Sequence, residues 1–269
     1  MKRITLLAIA LIAFASCKKD PKEGDTLNDS IPETTDTATA GLAFESKTYT
    51  KKSTLPCKDV CTSVTIDIAE AGGAGVASDS INKSVFNVVR SIVHFGEQPA
   101  NAKTYQEVMD SFVGAYDELK KKFPDDAMAW EAKVKSTVDY RSDNILNVKI
   151  NHYTFTGGAH GYGGERSLIF NPETGKRLTR NDIFKDIKAF TAFAETKFRQ
   201  KYKIPAGKSI NSTGLMFVED RYKLPDEIFF RENGILLFYN TLEVANNAEG
   251  SKDVLIPYAE AKPFLKIQP

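Results

Sequence analysis

The chain has 269 residues, 42% of them hydrophobic and 10% aromatic, with a formal net charge of +1. That is apolar material enough for one large domain or two small ones. A charge so close to zero supplies no global field for nucleic acid or an acidic membrane surface, and nucleic acid is set aside as a partner. The chain opens on "MKRITLLAIALIAFASCKKD". Lys2 and Arg3 precede an apolar run from Ile4 to Ala15 in which Thr5 is the only polar residue. Twelve residues are too few to span a bilayer, so residues 1–16 read as a signal peptide.

The run ends in small residues and then Cys17. Phe14-Ala15-Ser16-Cys17 resembles the lipobox of bacterial lipoproteins, with Phe14 where leucine is usual. The resemblance implies that Cys17 becomes the acylated N-terminus, carrying palmitate-type chains into a lipid bilayer. "CKKD" is also similar to the start of many lipoproteins of Bacteroidetes-type bacteria, and the implied location is the cell envelope, at the outer membrane. Loss of residues 1–16 leaves 34 basic against 35 acidic residues. Residues 17–41 have no aromatics and few apolar side chains, too little to offset the entropy of ordering, and read as a flexible tether.

Residues 43–52 and the alternating "SVTIDIAEA" (63–71) are predicted strands. Between them lie Cys57 and Cys61. An exported chain matures in an oxidising compartment, which favours a disulfide; a redox switch and half a metal site are the functional alternatives. Ile81, Val85, Val88 and Ile92 have helical spacing behind a cap at Ser78 or Asp79, and His94 follows as a solvated residue at the helix end. A second helix covers about 104–122, with Thr104 and Glu107 as a capping box and Val108, Phe112, Tyr116 and Leu119 as its buried stripe. Trp130 reads either as a carbohydrate platform or as a core plug.

Residues 131–142 and 145–156 form a predicted hairpin, and 165–171 a strand ending at the "NPETGK" turn. One long helix is expected over 181–203, with Ile183, Ile187, Phe190 and Ala194 on one face. "DEIFF" and "ILLFYN" flank Asn233-Gly234 as a second hairpin. A last strand at 253–256 and a short helix follow. The order implies α+β architecture, antiparallel sheets with packed helices, in two adjoining modules at 42–140 and 141–269.

The most unusual stretch is "TGGAHGYGGE", residues 156–165, with five glycines. Glycine admits positive φ and lets backbones approach closely. His160 either pins this loop by bonding backbone carbonyls or contacts a ligand together with Tyr162 and Glu165. His152 shares a strand face with Leu146, Val148 and Ile150 and reads as a satisfied, half-buried side chain. The stretch lacks the Gly-Lys-Ser/Thr ending of a phosphate loop, and the chain has no G-x-S-x-G elbow. No catalytic residue, metal or cofactor is expected.

Three phrases of the second half, "YTFTGGAHGYGGERSLIFNPETGKRLTRNDIF", the helix after it, and "LPDEIFFRENGILLFYNTLEVANNAEGSKDVLIPYAEAKPFL", resemble the extracytoplasmic domain of RsiV-type anti-sigma factors. The same domain precedes the catalytic domain of PdaC-type peptidoglycan deacetylases. Residues 43–140 look like the smaller module that commonly precedes it. The resemblance implies binding or sensing rather than a reaction, with lysozyme or peptidoglycan as ligand. "FPDDAMAW" does not supply the Asp and paired His that such a deacetylase sets on its metal. A hydrolase acting on envelope glycan is the alternative.

Overall fold

The computed structural model describes residues 41–57, 59–96, 100–125 and 128–269. The expected signal peptide, the acylation site Cys17 and all of the tether but Gly41 lie outside the described residues.

β1 (Ala43–Lys52) and β2 (Ser63–Gly72) pair antiparallel, and the loop between them is crossed by a Cys57–Cys61 disulfide. Val64, Ile66 and Ile68 are buried on one face of β2, as alternation predicts. α1 (Val76–Val93) begins earlier than expected: Gly75 is its N-cap, and Ser78 is buried inside the first turn with its hydroxyl donating to the Gly75 carbonyl. Its deepest residues are Ile81, Val85, Val89 and Val93, so the stripe advances by four where the sequence suggested Val88 and Ile92. α2 (Tyr105–Lys122) is capped by Thr104, which accepts from the Glu107 N–H, while the Glu107 carboxylate reaches the Lys103 N–H and not that of Thr104.

β3 (Glu131–Arg141), β4 (Leu146–Phe155) and β5 (Tyr162–Phe170) complete a five-stranded sheet in the order β1-β2-β3-β4-β5. One pairing departs from the antiparallel expectation. β2 and β3 run parallel, because the excursion through α1 and α2 brings the chain back in the same direction. Both helices cover one face of this sheet, and Trp130, 2% exposed among Phe95, Phe112 and Tyr116, is a core plug.

The expected long helix is two. α3 (Arg180–Ile183) opens with a Thr179–Asp182 capping box, and α4 (Ile187–Lys201) is capped by Asp186. The Asp186 carboxylate takes the Ala189 N–H that a continuous helix would have bonded itself, and Phe184 between the two helices bridges to Leu265. β6 (Glu227–Arg231), β7 (Gly234–Tyr239) and β8 (Lys252–Pro257) form a three-stranded antiparallel sheet, followed by α5 (Tyr258–Ala261). The architecture is α+β, as the element order implied.

Two hydrophobic clusters correspond to the two sheets, yet the expected division at 140/141 falls inside the β3–β4 hairpin. β5 serves both cores by alternation: Leu168 and Phe170 enter the first, Ile169 the second. Asp139, with a largely buried side chain, lies between Lys149 at 3.8 Å and Arg231 and ties β3 to β6.

Candidate functional site

Among the described residues β5 is the last strand of its sheet, so its outer N–H and C=O groups have no strand to bond there. Groups from the following segments take the place of one. The Leu178 N–H donates to the Ile169 carbonyl at 2.7 Å. The Ser167 N–H donates to the Glu227 carboxylate at 2.6 Å, and the Ser167 hydroxyl to the Ile228 carbonyl at 2.6 Å. Asn240 clamps Glu165 twice, its Oδ1 accepting from the Glu165 N–H at 2.7 Å and its Nδ2 donating to the Glu165 carbonyl at 3.0 Å. Behind them Asn147, fully buried, donates to the Ser167 hydroxyl and accepts the Phe230 N–H at 2.7 Å.

Beyond the Asn240 clamp the chain enters the glycine-rich turn, and a cleft of about 400 Å³ opens there. One wall is His160 to Glu165; the other includes Asn240, Thr241, Leu242, Asn247 and Ser251. The expected ligand residues His160, Tyr162 and Glu165 thus lie on one wall. Tyr162 is 63% exposed and meets the His160 ring edge-on at 5.5 Å.

His160 does not pin the turn. It is exposed, and its one hydrogen-bonding contact among the described residues is with the carbonyl of its neighbour Gly161, at 3.2 Å. The glycines shape the site in two ways. Gly157 and Gly158 adopt φ of 100° and 91°, where a side chain would be strained. Gly161 and Gly164 have ordinary φ and are needed for space. A Cβ on Gly161 would meet the Tyr153 ring at 2.5 Å, and one on Gly164 would lie 2.8 Å from Asn240 Oδ1 and 3.1 Å from His152 Nε2. β5 therefore begins at Tyr162, three residues before its expected start, because two of its first residues are glycines that the sequence presents as turn formers.

His152 is half-buried but not satisfied: neither ring nitrogen has a hydrogen-bond partner among the described residues. Burial, with the Arg166 guanidinium adding to it, pulls its pKa down to about 4, so the ring is neutral at neutral pH. Burial also pushes the Glu227 carboxyl up, against the Ser167 N–H and Arg166, which lies 3.5 Å away. His94, expected in solvent, is half-buried at the end of α1, and its Nε2 has no partner among the described residues. Among the described residues no three His, Cys, Asp or Glu side chains are grouped to hold a metal.

The lining chemistry is amide, hydroxyl and aromatic with the aliphatic Leu242, and Glu165 is its one carboxylate among the described residues. Such a wall orients a ligand by hydrogen bonds and ring contact. Asn240 and Tyr153 were not singled out from sequence, and Gly164 only as one of the five glycines of the run. A lone Asn after a strand carries no signal of its own, and only the register opposite β4 reveals the close approach.

A family model described as deacetylase PdaC matches residues 12–162, more than half of the chain. The chain belongs to the PdaC family. A second model, described as a protein of unknown function (DUF3298), matches residues 178–259, so the PdaC-family region is followed by a DUF3298 domain. Among solved structures, a DUF3298-family protein from Bacteroides fragilis is similar at TM-score 0.71 and 22% identity, covering 86% of this chain and 96% of that one. A DUF3298-family protein from Pseudomonas aeruginosa PAO1 is similar at TM-score 0.59 and 18% identity, with 85% and 96% covered. At these identities the likeness is one of fold. No curated protein matches the chain. The matches agree with the RsiV-type and PdaC resemblance carried by the three phrases.

Proposed function

We propose that the protein is a lipid-anchored binding and sensing module of the bacterial cell envelope, tethered through Cys17 at the outer membrane, that takes peptidoglycan or a wall-degrading enzyme such as lysozyme in the β5 cleft. The observation that carries the reading is the cleft wall. His160 lies in the glycine-rich turn and Tyr162 and Glu165 on the start of β5 that follows it, and recognition residues commonly sit on or beside loops fixed by such a scaffold. Its hydrogen-bonding lining supports binding over the alternative of envelope-glycan hydrolysis, for which a second carboxylate or an activated nucleophile would be sought beside Glu165. The lipobox-like end of the apolar run supports the anchor.

Pull-down of purified peptidoglycan and of lysozyme, run beside a glycan-release assay, tests the reading. Capture without release, lost on Tyr162→Ala, is expected; release of glycan fragments by the wild-type chain turns the conclusion to the hydrolase. Cys17→Ala is expected to move the protein from the detergent phase to the aqueous phase, and unchanged partitioning overturns the anchor.

A further inference from the structure

The outer edge of β5 is closed from Ile169 up to Glu165 and open beyond it. Glu165 and Ser167 direct their N–H groups away from β4, and alternation along the strand makes Gly163 do the same. Among the described residues nothing bonds the N–H or C=O of Gly163, which is exposed and lines the cleft. With glycine at 161, 163 and 164, few side chains stand between this edge and an incoming backbone.

The opposite wall is built at some cost. Leu242 holds φ at 71°, a region that favours glycine or asparagine, and is nevertheless 48% exposed in the cleft. Its turn is braced around it. The Glu243 carboxylate accepts from the N–H groups of Asn240 at 2.9 Å and Asp226 at 3.0 Å, and the Glu243 N–H donates to the Asn240 carbonyl. Strain of this kind persists where the surroundings over-determine it, and it clusters at ligand clamps. The lining holds no lysine or arginine, and Glu165 has no ion-pair partner among the described residues, since Arg166 pairs with Glu227.

We propose that this open end of β5 docks an extended polypeptide segment carrying a lysine or arginine. The segment adds to the edge through the N–H and C=O of Gly163, its cation meets Glu165, and its apolar side chains rest on Tyr162 and Leu242. Main-chain bonds supply affinity in such strand addition, and the flanking side chains supply selectivity. Charge complementarity with a lone carboxylate selects a basic segment. The inference deepens the proposed binding role and rests on it only in taking the same cleft as the site.

The test titrates the full chain with blocked pentapeptides, acetyl-Thr-Val-Lys-Val-Thr-amide and its Lys→Glu counterpart, and with a neutral chitin tetrasaccharide. Binding of the lysine peptide at least tenfold tighter than the glutamate peptide is expected. N-methylation of alternate amides should abolish binding in one register and spare it in the other. Glu165→Gln should remove the preference for lysine while the Asn240 clamp, made to backbone, holds the fold. Leu242→Gly should weaken binding several-fold while leaving the melting temperature unchanged or raised, an outcome that loss of folding cannot produce. Peptide binding indifferent to both N-methylation registers, tetrasaccharide binding without peptide binding, or no peptide binding each overturns the proposal. Peptides silent beside capture of peptidoglycan or lysozyme overturn this inference alone; capture of neither, with peptides bound, overturns the proposed function alone.

Discussion

The two halves of β5 are built to opposite rules. From Glu165 to Phe170 the strand is wedged between two cores, and its free edge is closed by Asn240, Glu227, Ile228 and Leu178. From Tyr162 to Gly164 it is glycine-rich and borders a cleft. The second sheet does not extend the first; it reaches β5 through the Asn240 amide and the Glu227 carboxylate, at the backbone of Glu165 and Ser167, and through the Ile228 carbonyl at the Ser167 hydroxyl. Closure of an edge by side chains can stop at any residue, and here it stops at Glu165. An edge closed by another strand would have left no cleft.

Breaking the closed half should have the largest effect. Asn147→Ala removes the side chain that bridges Ser167 and the Phe230 N–H in a fully buried position, and a loss of about 2–4 kcal/mol is expected in denaturant melts. A loss below that range would mean that the two sheets are held mainly by apolar contact. Gly164→Ala probes the boundary between the halves. Its Cβ would press on Asn240 Oδ1 and His152 Nε2, and about 1–3 kcal/mol should be lost as the clamp shifts. Unchanged stability there would show that the clamp moves freely.

Acid should weaken the same boundary. The His152 pKa is lowered from 6.5 to about 4 in the folded chain, so the unfolded chain takes up the proton first as pH falls. The His152-dependent stability is full above pH 6.5, declines from there to about 4 and levels off below it. After allowance for partial solvent screening, the His152-dependent part should be about 1–2 kcal/mol, read as the difference between wild type and His152→Leu across that window. Parallel curves for the two proteins would remove His152 from the account. The smallest effect belongs to the open half: His160→Ala should change stability by no more than about 0.5 kcal/mol, because the ring is exposed and among the described residues bonds only its neighbour. A larger loss would restore a pinning role to His160.

Much of this protein was written in its periodicity. The alternation of Val64, Ile66 and Ile68 in β2, the helical spacing that set α1 and α2, the cap at Thr104 and the hairpin at Asn233-Gly234 are local patterns that local physics reads directly. The glycine run announced a turn, and its surroundings announced where His160, Tyr162 and Glu165 would be displayed. What the pattern could not carry was anything decided across the chain. The break between α3 and α4 rests on caps and on a bridge to Leu265, near the far end of the chain, and the parallel pairing of β2 with β3 depends on where two helices deliver the strand. The emptiness of His152's hydrogen bonds and the space that Gly164 leaves exist only once β4, β5 and Asn240 are in register. Sequence therefore determined which segments were strand, helix and turn, because those follow from neighbours within a few residues. Tertiary structure decided which edge stayed open and which amide closed the rest, because hydrogen bonds between residues 75 positions apart have no local signature.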